Sequence, residues 1–264
     1  MGKVLEVISG QATAPGAAIT ALAMGAGNTN VIRSFEGDNA PRLITLWADN
    51  QVAGIVRAMS PRMANNNQGI HVDSMIGNLD PLIPISLGQR FYSQDTLTLG
   101  ISGSAVAGDL EGAGFLIYYP DLPGANGMFI SPDDAIGRST NIMTNRTVIV
   151  TGAGGGYTGQ MALNATENMF KANKDYALLG YVAQVQCTTV RLIASDLGNI
   201  GIGGPGNIAN RALTSEWFLH ISRKTGLPLV PVINSSNVGG IIVDAMQDEN
   251  AAAVNVSWIF AELD

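Results

Sequence analysis

The sequence predicts an all-β chain of two tandem β-sandwiches. Three observations carry that reading: an internal repeat, a dense succession of short apolar runs, and a scarcity of charge. Pro81-Leu82-Ile83-Pro84-Ile85 returns as Pro228-Leu229-Val230-Pro231-Val232, and each copy is followed by a polar turn, an alternating run and a final apolar strand. Upstream, Val56-Arg57-Ala58-Met59-Ser60 matches Val190-Arg191-Leu192-Ile193-Ala194-Ser195 with one residue inserted. The openings match as well, Val4-Leu5-Glu6-Val7-Ile8-Ser9-Gly10 against Thr147-Val148-Ile149-Val150-Thr151-Gly152. A period this long decides the fold before any local motif is weighed. It divides the chain into residues 1–122 and 144–264, joined by a linker at 123–143. Each unit has about 120 residues, the size of a small single-core domain.

The strands follow from runs of four to eight residues rich in Val, Ile, Leu, Thr and Tyr, bounded by Gly, Pro, Asn or Asp. In the first unit these are Val4–Ser9, Asn30–Phe35, Leu43–Trp47, Ala53–Met59, Gly69–Val72, Leu82–Ser86, Asp95–Ser102 and Gly114–Tyr119. In the second they are Thr147–Thr151, Gln160–Asn164, Tyr176–Val185, Thr189–Ala194, Asn199–Gly203, Leu229–Ile233, Gly240–Ala245 and Ala253–Ala261. Eight short strands in about 120 residues indicate a sandwich, and the jelly roll is the usual eight-stranded form.

One short helix is expected, in the second unit, over Thr214–Gly226. Thr214 and Ser215 offer hydroxyl caps, Trp217, Phe218, Leu219 and Ile221 an apolar side, Arg223 and Lys224 a basic last turn, and Gly226 a stop. Its counterpart in the first unit, Asp73 to Asp80, has room for a single turn. The linker, with Gly, Pro, Asn and Ser131-Pro132-Asp133-Asp134, reads as turns.

Charged residues make up 13% of the chain, against about 25% in ordinary soluble domains. A neutral outer surface of this extent points to coverage by neighbouring subunits, because charge is depleted at interface centres. The net charge of −7 excludes a nucleic-acid surface of the ordinary kind, which needs a lysine and arginine footprint. The single cysteine, Cys187, excludes an internal disulfide and reads as a buried small hydrophobe. Met1-Gly2-Lys3-Val4 lacks the apolar run of a secretory signal. Ala17 to Ala26 is far short of the ~20 residues that span a bilayer.

One motif imitates a nucleotide site. Val148-Ile149-Val150-Thr151-Gly152-Ala153-Gly154-Gly155-Gly156 has the strand-then-glycine form that opens NAD(P)-dependent dehydrogenases. The third glycine of that pattern falls on Thr158, no Tyr-x-x-x-Lys follows, and the remaining chain is too short for a doubly wound sheet. The repeat also sets Ser9 to Gly16 opposite this loop, so a strand-to-strand connection accounts for it. His71 and His220 read as structural residues at a strand edge and in the helix. Asp133-Asp134 has the paired carboxylates that suit a hard cation, although a solvated turn or helix N-cap is the simpler reading. Trp217, Trp258 and Tyr118 read as core. No catalytic or cofactor-binding residue is assigned, no cofactor is expected, and metal binding is left open. The chain does not read as an enzyme.

Two tandem eight-stranded sandwiches, few charges and the repeated Pro-Leu-x-Pro-x element together resemble the double jelly-roll major capsid proteins of membrane-containing icosahedral phages and related viruses. The resemblance is architectural and spans the whole chain. It implies a homotrimer whose six jelly rolls form a pseudo-hexameric tile of an icosahedral shell. Its partners would be neighbouring capsomers, other virion proteins and an internal membrane, with no sequence-specific nucleic acid. Its place would be the virion, assembled in the host cytoplasm. The competing class is a tandem β-sandwich binding module: lectin-like, a tail or fibre component, or an adhesin.

Overall fold

The alternating and continuous apolar runs fold as antiparallel strands stacked in four sheets. The structure is a computed structural model. It describes residues 2–35, 39–63, 69–74, 90–150, 156–183, 187–206, 211–247 and 253–264. The first half supplies β1 (Gly2–Thr13), β2 (Thr20–Ala21), β3 (Ala23–Met24), β4 (Arg42–Asp49), β5 (Gly54–Met59), β6 (Ile70–Ser74), β7 (Thr98–Ile101) and β8 (Leu110–Leu122). After it come β9 (Phe129–Ile130), α1 (Pro132–Gly137), β10 (Ser139–Val150), β11 (Tyr157–Ala162), β12 (Asp175–Ala183), β13 (Thr189–Ile193) and β14 (Gly201–Pro205). The chain closes with α2 (Arg211–Ser215), α3 (Trp217–Thr225), β15 (Val230–Asn234), β16 (Ile242–Met246) and β17 (Ala253–Leu263).

The strand order identifies the fold as two tandem jelly rolls. In the second sandwich the sheets run β10-β17-β12-β15-β9 and β11-β16-β13-β14. Counted from β10, these are the first, eighth, third and sixth strands, then the second, seventh, fourth and fifth. That is the double Greek key of a jelly roll. With β2 and β3 counted together as the second strand, the first sandwich follows the same order as β1-β8-β4 and β2-β7-β5-β6, with β3 added at the edge beside β1. Its sixth position is marked by Arg90, which bridges to Arg42 on β4.

The sequence placed most of these strands, and the structure adjusts several elements. Asn30–Phe35 is not a regular strand: within it only Val31 forms a bridge, to Thr96, and the Arg33 side chain pairs with Glu6. The expected strand Asp95–Ser102 is regular only over Thr98–Ile101. Leu82–Ser86, the first Pro-Leu-x-Pro-x element and nearly all of Asp73–Asp80 lie outside the described residues. The linker is more ordered than turns. It contains β9, which pairs with β15, and α1, capped by the Ser131 hydroxyl accepting from Asp134 N at 3.1 Å.

The expected helix also starts earlier and breaks. Thr214 and Ser215 do not cap α3, because their hydroxyls donate back to the carbonyls of Arg211 and Ala212 at 3.2 and 2.9 Å. Glu216 takes the cap position in a non-helical conformation, and Gly226 closes the helix at φ 69° as read from the sequence. Among the described residues no helix is long and apolar enough to cross a membrane.

The apolar side chains gather in two main clusters. One lies between the two sheets of the first sandwich, around Val4, Ile8, Leu46, Val56, Phe115 and Ile117. The other fills the second sandwich around Tyr176, Val190, Trp217, Trp258 and Phe260, and extends into the first through Leu5, Val7, Ile44, Trp47, Leu116 and Tyr118. Successive β1 residues therefore serve different cores. Val4 and Ile8 face their own sandwich, while Leu5 and Val7 face the other.

Candidate functional site

The feature that sets this chain apart is the seam where the two sandwiches meet. The outer face of β1, β8 and β4 lies on the outer face of β13, β14 and β16, so both sheets are covered on both sides. Such sheets read as near-continuous apolar runs, as Val4-Leu5-Glu6-Val7-Ile8 does. Small residues let the sheets approach. A Cβ on Gly112 of β8 would stand 2.6 Å from the Thr188 side chain, and one on Gly25 would stand 2.5 Å from the Tyr157 ring.

Two anchors fasten the seam. The first is Trp47 on β4, which is 1% exposed. Its indole Nε1 donates to the Thr188 carbonyl at 3.0 Å and to Thr189 Oγ1 at 3.2 Å. Its ring meets Trp217 edge-on, with centroids 6.2 Å apart and planes at 87°. Nearby, Thr188 Oγ1 donates to Asp49 Oδ2 at 3.1 Å.

The second anchor is a buried polar cluster around Arg191 of β13. Arg191 and Asp244 of β16 are cross-strand partners. The guanidinium donates through Nε to Asp244 Oδ1 at 2.9 Å and through Nη2 to Oδ2 at 2.6 Å, a two-point pair. Nη2 also donates to the Ala26 carbonyl of the first sandwich at 3.0 Å. The same guanidinium stacks over the Tyr157 ring, 3.7 Å from its centroid. Tyr157 OH hydrogen-bonds the Ser9 hydroxyl of β1. Gln11 completes the cluster, its Nε2 donating to the Gln247 carbonyl and its Oε1 accepting from Gly156 N at 2.7 Å.

The electrostatics fit a permanent fastening. Burial weighs most against the Arg191 charge, but the hydrogen bond to Asp244 together with the attraction of Tyr157, Asp244 and Glu6 outweighs it and holds its pKa above the ordinary value. Burial pushes the Tyr157 phenol well up, opposed by the Arg191 cation, so the hydroxyl keeps its proton. These groups bind one another, and the arrangement joins surfaces. It also conceals within the chain part of the neutral surface that composition alone assigns to other subunits.

The residues singled out from sequence fall elsewhere. Trp217, Trp258 and Tyr118 are buried at 0, 0 and 4% exposure. Cys187 is buried. His71 stands exposed on β6, the edge of its sheet, and His220 lies on α3, where burial lowers its pKa. Asp133 and Asp134 are exposed in the first turn of α1, and Asp134 hydrogen-bonds the Ser131 cap. Among the described residues no group of three His, Cys, Asp or Glu side chains converges. Of the glycine loop, residues 151–155 lie outside the described residues. It joins β10 to β11, and every strand pairing among the described residues is antiparallel. A dinucleotide turn instead needs a parallel strand running into a helix.

Sequence reasoning did not single out Trp47, Tyr157, Asp244 or the role of Arg191. The one available signal was the repeat itself, which sets Arg191 opposite Arg57.

No family model matches the sequence. No curated protein matches it either. Among solved structures the chain is similar to the major capsid protein P2 from Bacteriophage PM2, at 8% identity and a TM-score of 0.24, over 99% of this chain and 98% of that one. It is also similar to the PBSX exported protein XepA, at 9% identity and 0.22, over 94% and 88% of the two chains. A chain of the Sulfolobus Turreted Icosahedral Virus matches at 9% identity and 0.19, over 100% and 91%. The fold assignment rests on the strand order described above.

Proposed function

We propose that the chain is a major capsid subunit, a structural protein without catalytic activity that forms pseudo-hexameric homotrimers tiling an icosahedral shell. Its two units, residues 1–122 and 144–264, act as successive positions in one ring. The 123–143 segment lends β9 and α1 to the second. The supporting observation is the seam, in which the front of one jelly roll lies on the back of the other. A contact between two different faces is heterologous, and repeating it generates a closed ring or a filament. One chain supplies two of the six positions, so three chains close the ring. Its partners are further copies of itself and the neighbouring capsomers of a virion, assembled in the host cytoplasm. Other virion proteins and an internal membrane complete its surroundings.

Size-exclusion chromatography with light scattering tests this directly. A trimer is expected at micromolar concentration, with hexagonal tiles or shells by negative-stain imaging. Obligate interfaces bury well over about 800 Å² per partner, so the trimer should survive dilution. A monomer that persists at high micromolar concentration would favour the binding-module class.

A further inference from the structure

We propose that the outer face of β5 and β7, centred on Arg57, docks on the outer face of β10, beside α1 and α3, in a second copy of this chain. This rests on the self-assembly proposed above and names its contact surfaces.

Arg57 and Arg191 hold the same place in the two jelly rolls. Each lies on the fourth strand of its sandwich, which has the same two neighbours in sheet order. Val56 and Ala58 flank Arg57 and point into the first core, as Val190 and Leu192 flank Arg191 and point into the second. Both arginines therefore leave the outer face of the sheet. Arg191 is 2% exposed, enclosed by Tyr157 and Asp244 of its own sandwich and by Ala26 of the first. Arg57 is half-buried and makes no ion pair among the described residues.

The cross-strand partners differ in a telling way. Arg191 faces Asp244, whereas Arg57 faces Gly100 on β7 and His71 on β6. Around Arg57 stand the half-buried apolar side chains of Ile19, Ile55 and Met59, with Ile19 lying over Gly100. This face resembles the covered one in position, but the described residues leave it partly exposed.

What covers Arg191 indicates what covers Arg57. The sheet of β1, β8 and β4 lies against the sheet that carries Arg191, with Ala26 and Gly27 after β3 reaching the guanidinium itself, and its counterpart strands are β10, β17 and β12. The outer face of those strands carries Ile142 and Val150, exposed at 54 and 59%. Between β10, α1 and α3 runs a groove of about 210 Å³ lined by Ile136, Ile142, Leu179, Leu219 and Ala261. Helices α1 and α3 already cover the outward side chains of β12 and β17, so β10 and this groove are the open part of that sheet, and a second copy is the occupant that fits.

The test uses Arg57→Glu, Arg57→Ala and Ile142→Glu in the full chain, with Val106→Glu, on a separate loop, as control. Arg57→Glu and Ile142→Glu are each expected to raise the concentration needed for assembly by about tenfold or more, with melting curves unchanged. Arg57→Ala should give a smaller rise and guards against a folding defect of the charge reversal. Mixing the two Glu variants should give a heterodimer, because each retains the face the other has lost. A wild type that assembles together with an Arg57→Glu variant that assembles equally well would overturn this surface and leave self-assembly standing. A wild type that stays monomeric would overturn both.

Discussion

Asp244→Ala is expected to cost about 3–5 kcal/mol of folding stability, because it strands a buried guanidinium without its counter-ion. Asp244 is fully buried and Arg191 is 2% exposed, so water cannot take over the lost contacts at 2.9 and 2.6 Å. The remaining partners, the Ala26 carbonyl and the Tyr157 ring, carry no full charge. In a chain of this size the loss lowers the melting temperature by roughly 10 °C. Denaturant titration measures it. The double change Arg191→Met with Asp244→Leu should recover most of the stability, since apolar replacement of a buried pair is often neutral. A loss below about 1 kcal/mol for the single variant, typical of exposed pairs, would show that the pair is solvated.

Trp47→Ala should be comparably severe, at about 3–5 kcal/mol, through the cavity left between the sandwiches. It removes the edge-on contact with Trp217 and leaves Thr188 without its indole donor. Trp47→Phe retains much of the ring volume and loses the N–H, so its cost should be nearer 1–3 kcal/mol. Because Trp47 lies at the seam, Trp47→Ala should also split one calorimetric transition into two as the sandwiches uncouple. A single, unshifted transition would place the coupling elsewhere.

The strands were largely legible because each carries its own evidence. β4, β5, β13, β15 and β17 are runs of β-branched and aromatic residues between turn formers. β2 and β3 have two residues each, too few for any period to show. The misplaced helix start has a local cause: a hydroxyl can cap forward or bond back, and Thr214 and Ser215 bond back. α1 was present in the sequence as a Ser131 cap with Pro132 behind it, yet so short a helix gives no apolar stripe.

The seam was only half legible. The continuous run Val4–Ile8 marks a strand covered on two sides, but no local pattern says what covers the second. Arg191 looks like a solvated strand arginine until the fold brings Asp244, Tyr157 and Ala26 together from three distant segments. The repeat places it beside Arg57, but only the assembled sheets show that one is fully buried and the other half-buried.

The double coverage of β1 has a consequence for how the chain is made. On the ribosome, β1, β4 and β8 emerge together with their own sandwich, but β13, β14 and β16 follow only after roughly another 70–120 residues. At ~5–20 residues per second the face bearing Leu5, Val7, Trp47, Leu116 and Tyr118 waits in water for about ten seconds. A nascent chain halted near Val150 should therefore bind a hydrophobic dye and self-associate, whereas the finished chain, with that face closed, should do neither through it. The N-terminal sandwich is born with a sticky side, and its own C-terminal half is the shield it waits for.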